Sequence, residues 1–251
     1  MHNPSKYLTP LLEVAVFSYH GARIAEEAGA DRIELCENPH DGGTTPSYGY
    51  LRQVKEAIQI PVFPIIRPRD GDFLYSEEEW NMVIQDIRIC KELGFPGIVT
   101  GSLTAAAAVD VEQLQRAVDV AYPMQVTFHR AFDRVAKPEL SLEQIINCGC
   151  SRILTSGCKP TAPEGKELIR RLVQQAGDRI IIMPGSGVRS SNLHELLQHT
   201  NAPEYHSSAR ITVPSDMQYV SPDFKEDAGR MLVNAEEIRQ MKSALLGASL
   251  E

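Results

Sequence analysis

Residues 29–37 read Gly-Ala-Asp-Arg-Ile-Glu-Leu-Cys-Glu. Gly29 supplies the left-handed turn that ends a helix, and a short β-rich run follows at once. In that run Ile33 and Leu35 take one parity, Glu34 and Cys36 the other. Successive side chains on a strand point to opposite faces, so one face is apolar and the other carries a carboxylate and a thiol. A parallel sheet covered by helices on both sides needs two apolar faces. A barrel needs only one, because its second face points inward or into its mouth.

The same pattern recurs along the chain. Candidate strands are Leu12–Val16, Arg32–Cys36, Val62–Ile66, Gly97–Thr100, Gln125–Phe128, Arg152–Leu154, Arg179–Ile182 and Glu204–Ser207. Glu13, Arg67, Thr127 with His129, and Glu204 with His206 and Ser208 repeat the polar parity, while Val14, Ile66, Val126, Phe128 and Tyr205 take the apolar one. Helical signals lie between the strands. Ser76 with Glu79 and Ser141 with Gln144 have capping-box spacing, and Asp110 with Gln113 is a relative of it. Gly94, Gly149 and Gly177, like Gly29, stand shortly before the next strand. Eight strand–helix units predict an α/β fold, a single-domain TIM-type (β/α)8 barrel with its site at the C-terminal mouth; a doubly wound sheet is the alternative. Residues 1–10 read as an N-terminal extension and 11–248 as the barrel domain. Past Arg210 the pattern weakens to a loop with some extended structure over residues 211–229, and Asn234 with Glu237 opens a last helix.

Composition narrows the function classes. The 251 residues are 43% hydrophobic and 23% charged, with a net charge of −8. An acidic chain without a basic cluster argues against nucleic acid as a partner. No run of about 18 apolar residues spans a bilayer, and Met1–Pro10 lacks a signal peptide's basic start and apolar stretch, so no membrane partner and a cytoplasmic location are expected. Five cysteines, odd in number and without framework spacing, read as reduced thiols.

Polar and Gly-rich residues gather just after the strands, where a barrel brings its βα loops to one face. Glu34 and Cys36, two apart on one strand, suit metal ligation or acid–base work; the alternative is that Glu34 pairs inside the barrel with a basic residue such as Arg67. Arg67 and Arg69 flank a stiffening proline, and planar two-pronged guanidiniums fit a carboxylate or phosphate, unless they pair with Asp70, Asp72 or Glu34. His129 stands at a strand end with Arg130 and Asp133 beyond it, as a general base or metal ligand. Thr155 and Ser156, the Gly185-Ser186-Gly187 turn, Ser208 and Arg210 together describe an anion pocket, against the plainer reading of turns and caps. The hypothetical acid–base set is thus Glu34, His129 and Asp133, and the metal candidates are Cys36 and His206. No third glycine completes a dinucleotide fingerprint, and no GxSxG, Walker or HExxH motif occurs, so no nucleotide cofactor is indicated.

Taken together, Ala30–Cys36, Gly42–Ser47, Ile66–Ser76, Thr127–Asp133, Ile153–Gly157 and His206–Arg210 resemble the CutC family, named for copper homeostasis. The resemblance implies a TIM-like barrel, a cytoplasmic homo-oligomer, and Cu(I) as the ion bound or trafficked. Members often carry a cysteine two residues after the first-strand glutamate, proposed to bind Cu(I) with the one matching Cys36; this chain has Ala15 there. Where an acidic residue usually follows Gly-x-Leu after the fourth strand, this chain runs into Ala105–Ala108. Two functional readings follow. One is Cu(I) handling through Cys36 and His206; the other is an enzyme or binder for a small anionic molecule clamped by Arg67 and Arg210.

Overall fold

A computed structural model describes residues 9–219, 223 and 229–247. Eight parallel strands run in chain order: β1 (Leu11–Val16), β2 (Arg32–Leu35), β3 (Val62–Pro64), β4 (Gly97–Thr100), β5 (Gln125–Phe128), β6 (Arg152–Thr155), β7 (Ile181–Pro184) and β8 (Glu204–Ser207). Each of the eight expected strands is present, with ends displaced by two residues at most. Helices α1 (Tyr19–Glu27), α2 (Tyr48–Ala57), α3 (Glu77–Glu92), α4 (Val111–Ala121), α5 (Pro138–Asn147), α6 (Ala162–Ala176), α7 (Ser190–Thr200) and α8 (Ala235–Gly247) follow them.

The ladders form two sheets, β3-β2-β1-β8 and β4-β5-β6-β7. A parallel bridge between Ile65 and Val99 joins β3 to β4, where the Ile66 N–H donates to the Val99 carbonyl at 2.7 Å. At the other seam β7 lies beside β8, and Ser207 Oγ, at the end of β8, donates to the Val188 carbonyl at 2.7 Å. The strand order therefore closes on itself, which a doubly wound sheet does not do. The expected loop after Arg210 begins as β9 (Arg210–Val213), paired antiparallel with β10 (Arg230–Val233).

Caps set the helix starts. Ser76 and Glu79 form the expected reciprocal box, and Asp110 accepts from the Gln113 N–H. Ser141 does not cap a helix: α5 begins three residues earlier at Pro138, whose fixed φ suits a first helical position, and Ser141 is buried within it.

Two separate cores result. Between strands and helices sits the main apolar layer, which includes Ile33, Leu35, Trp80, Phe128, Leu142 and Tyr205. Inside the barrel the filling is charged. Arg32 pairs with Glu13 and with Glu204. Arg152 pairs with Glu204 through Nε at 2.9 Å and through a second nitrogen at 3.3 Å, and donates to Gln125 at 3.0 Å. Phe63 lies beneath both guanidiniums, with ring centroid distances of 5.2 and 5.3 Å. Its ring leaves no room for a side chain at position 97, which is why β4 opens on glycine. Burial alone would raise the Glu13 pKa, but Arg32 and His206 outweigh it and hold the carboxyl well below the usual range.

Removing one member of such a network strands a buried charge. Arg32→Met, which leaves Glu13 and Glu204 short of a cation, is expected to cost about 3–5 kcal/mol in urea denaturation. The exposed pair Arg179–Glu143, cut by Arg179→Met, is expected to leave the urea midpoint nearly unchanged. Equal costs in the two variants would contradict this account of the interior.

Candidate functional site

Above the charged layer the strand ends open into a cavity of 420 Å³ at the C-terminal mouth. Its wall takes residues from strand ends and loops round the barrel, among them Glu34, Arg67, His129, Ser186, His206 and Arg210. Alternation along β2 and β8 carries the wall residues upward from the interior: Arg32 lies below Glu34 and Cys36, and Glu204 below His206.

Arg67 stands just past β3, only 4% exposed. Its backbone is tied on both sides to Thr45, whose N–H and hydroxyl meet the Arg67 carbonyl and whose Oγ1 accepts from the Arg67 N–H. One terminal nitrogen donates to the Asp41 and Gly43 carbonyls at 2.6 and 2.9 Å, the other to the Gly71 carbonyl at 2.9 Å. Nε has no partner. Among the described residues no carboxylate pairs with this guanidinium. The expected alternative, a Glu34–Arg67 pair, does not form. Arg189, Arg210 and Arg134 line the same cavity, and no carboxylate pairs with them either among the described residues. An acidic chain thus gathers unpaired cations at one opening.

His129 caps the short 3-10 turn at 130–134: its Nδ1 accepts from the Ala131 N–H at 3.2 Å. That contact puts the ring proton on Nε2, which has no acceptor. Burial and then the nearby Arg67 charge lower its pKa to about 3. The ring is therefore a neutral hydrogen-bond donor rather than the general base expected from its place in the sequence. Phe73 packs against it at 4.9 Å and against the Arg67 guanidinium at 5.0 Å.

Glu34 is 5% exposed and pairs with no arginine. Its nearest charged neighbour is His206 Nε2 at 3.7 Å; the other ring nitrogen of His206 meets Glu13 at 2.8 Å. Burial raises the Glu34 pKa to about 7, His206 opposing and the Glu13 charge adding. Cys36, buried beside it, is pushed well above the ordinary thiol value by burial and then by the Glu34 charge. Cu(I) prefers two or three soft donors, and Cys36 brings one sulfur beside a carboxylate. Across the β1–β2 register Ala15 stands opposite Glu34, so no second sulfur is supplied from β1. Among the described residues no group of three or more His, Cys, Asp or Glu side chains is placed to hold a metal ion.

Asp133, expected as an acid–base group, organises a loop instead. Its oxygens accept from the Thr155 hydroxyl, the Ser156 N–H and hydroxyl, the Cys158 N–H and Arg130 Nε. That also turns Thr155 and Ser156 away from any ligand; both are fully buried and neither lines the cavity. Arg69 likewise faces outward, held by Glu79, Asp72 and the Leu74 carbonyl. Gly185 gives its N–H to the Thr155 carbonyl. Arg130 lines the cavity while bridging Asp133 and Ser156. The arrangement thus brings Glu34, Cys36, Arg67, His129, Arg130, Ser186, Gly187, His206, Ser208 and Arg210 together and leaves out Arg69, Asp133, Thr155, Ser156 and Gly185. Arg189 and Arg134 escaped the sequence reading. Arg189 follows Gly185-Ser186-Gly187-Val188 directly, and that adjacency was the available signal.

The sequence model of the CutC family matches residues 10–211. A CutC family protein of Klebsiella pneumoniae (strain 342) is 47% identical over 242 residues, covering 94% of this chain and 97% of that relative. One from Chromobacterium violaceum is 43% identical, covering 94% and 98%. The crystal structure of CutC from Streptococcus agalactiae superposes with a TM-score of 0.75 at 32% identity, over 79% of this chain and 98% of that one. Phosphoribosylanthranilate isomerase of Thermotoga maritima, at a TM-score of 0.58 and 11% identity over 95% and 99% of the two chains, shares the barrel fold alone.

The two shifted groups act on stability with opposite sign. His129 titrates at 6.5 when free and at about 3 in the fold, so its contribution is complete above pH 6.5 and is lost as pH falls toward 3. Glu34 moves from 4.5 to about 7, so its contribution is complete below pH 4.5 and is lost as pH rises through 7. Ring 15N NMR at pH 5 is expected to show His129 neutral with the proton on Nε2, and Glu34→Gln is expected to remove the loss of stability between pH 4.5 and 7. A charged His129 ring at pH 5 would contradict the geometry.

Proposed function

The chain belongs to the CutC family, and from that footing we propose that it binds or transforms a small anionic metabolite in the barrel mouth. The observation that carries this reading is Arg67, a buried guanidinium met by carbonyls with the Tyr75 side chain alongside, without a carboxylate partner among the described residues and with a free Nε–H. Burying a cation without an anion is expensive, and a bound carboxylate or phosphate relieves that cost. Arg210, Arg189 and Arg134 add positive charge around the opening, while the Ser186–Gly187 turn and Ser208 add polar backbone. Glu34, with a pKa near neutrality, is the residue we assign to moving a proton, and His129 polarises an oxygen as a neutral donor. Arg130 holds the β6 loop beside them.

The family resemblance carries a second reading, Cu(I) binding or trafficking through Cys36 and His206. The donor chemistry described above argues against it: the thiol is masked by Glu34, and both His206 nitrogens face carboxylates. We further read the chain as a cytoplasmic homo-oligomer, without nucleic-acid or membrane partners. Its net charge of −8 supports the first exclusion. For the second, no helix among the described residues is long and apolar enough to cross a membrane.

Two titrations separate the readings. A thermal-shift panel of phosphorylated and carboxylated metabolites is expected to yield at least one stabilising ligand, worth about 2.7 kcal/mol at a hundred times its Kd. Arg67→Gln and Arg67→Lys, checked for folding by circular dichroism, are expected to lose that shift. Anaerobic Cu(I) competition is expected to give equal, weak binding in wild type and Cys36→Ser. A panel without a hit, beside stoichiometric Cu(I) binding lost in Cys36→Ser, would replace the anion reading with the copper one.

A further inference from the structure

The free donors of the mouth fall into two groups on opposite sides of the barrel. On the β7–β8 side, Ser186 and Gly187 are consecutive left-handed residues, with φ of 73° and 70°. Among the described residues the backbone N–H groups of Ser186, Gly187, Val188 and Ser208 have no acceptor. The Ser186 hydroxyl donates to the Pro160 carbonyl, so the open donors these cavity-lining residues keep are backbone N–H groups. Arg189 and Arg210 line the same cavity, tied to each other through the Arg210 carbonyl. Four open amides and two guanidiniums match a phosphoryl group, which offers three acceptor oxygens and about two charges.

The second group lies on the β3–β5 side. Arg67 Nε–H and His129 Nε2–H are both buried and both without an acceptor. Their residues are 4% and 3% exposed and form part of the same cavity wall. One side chain, Phe73, packs on both and keeps water from them. Two open donors, one neutral and one cationic, on side chains that share the Phe73 contact call for an oxygen acceptor, and a neutral imidazole N–H suits a carbonyl oxygen. They do not suit an ammonium or an alkyl end.

Resting on the anionic-metabolite reading, we propose that the ligand is a phosphate monoester with a carbonyl at its far end. The phosphoryl group sits on the Ser186–Val188 and Ser208 amides, and the carbonyl oxygen reaches Arg67 Nε–H and His129 Nε2–H as Phe73 swings aside. The cavity, at 420 Å³, is within the range of small-molecule sites.

The probes are inorganic phosphate, two phosphorylated ketones (dihydroxyacetone phosphate and ribulose 5-phosphate), and the corresponding alcohols glycerol 3-phosphate and ribitol 5-phosphate. In 1H–15N NMR, inorganic phosphate is expected to shift the amides of Ser186, Gly187, Val188 and Ser208. By calorimetry at least one ketone is expected to bind about tenfold tighter than its alcohol: the carbonyl oxygen takes both N–H donors, while the hydroxyl oxygen, which must also place its own proton, takes one, a difference of one hydrogen bond or about 1.4 kcal/mol. In His129→Phe, which keeps a ring but loses the donor, the preference is expected to fall to near unity while inorganic phosphate binds as before. If phosphate leaves those amides unmoved while citrate or pyruvate perturbs the Arg67 Nε–H signal, the phosphoryl assignment falls and the anion reading stands. If phosphate binds and neither ketone is preferred, the carbonyl assignment falls. If neither phosphate nor carboxylate perturbs the mouth, both readings fall.

Discussion

A guanidinium withdrawn from water has to be met by anions or by acceptors, and this constraint orders the interior of the barrel from base to mouth. At the base it is obeyed with carboxylates: Arg32 and Arg152 share Glu204, and Arg32 also takes Glu13. Phe63 fills the space beneath them, which in turn requires Gly97 on the facing strand. Glu13 reaches up to His206, and His206 to Glu34. The electrostatics of the mouth are therefore set from below. Glu34 is driven toward the neutral form by burial first, with the charge of Glu13 adding to it. At the mouth the constraint is met around Arg67 by neutral groups, carbonyls with the Tyr75 side chain alongside, and the balance of charge is left to whatever enters.

Much of this was legible in the sequence, and the reason is parity. Alternation along β2 and β8 marked Glu34, Cys36, Glu204 and His206 as inward-facing before any coordinates, and Gly29, Gly94, Gly149 and Gly177 marked the helix ends. The pairing was not legible. Which carboxylate meets which arginine depends on strand register, and Glu204 lies 172 residues from Arg32 in the chain. Asp133 shows a second limit. An acidic residue in a mouth loop reads the same whether it faces a ligand or gathers hydroxyl and amide donors from the next loop, and here it does the second. His129 shows a third: its position was visible, but the Ala131 N–H that fixes its tautomer is a matter of turn geometry.

Membership of the CutC family attaches the word copper to this barrel, yet the chemistry of its mouth is that of hard oxygen ligands. Cys36 lies between a carboxylate and an apolar wall that includes Ile65, with Ala15 where a second sulfur would be. Soft-metal capture needs ionised sulfur; oxyanion capture needs open N–H groups and uncompensated cations. The second set is present on both sides of the cavity.

The central claim is that the mouth, whose cavity-lining arginines Arg67, Arg134, Arg189 and Arg210 meet no carboxylate among the described residues, awaits an anion. Its most direct test is a high-resolution crystal structure of the protein soaked with phosphate. The account predicts an oxyanion in the mouth, with its oxygens on the Ser186–Val188 amides and with Arg67 unpaired to any protein carboxylate. A mouth that holds water alone, with Arg67 Nε turned to a carboxylate of the chain, would contradict it.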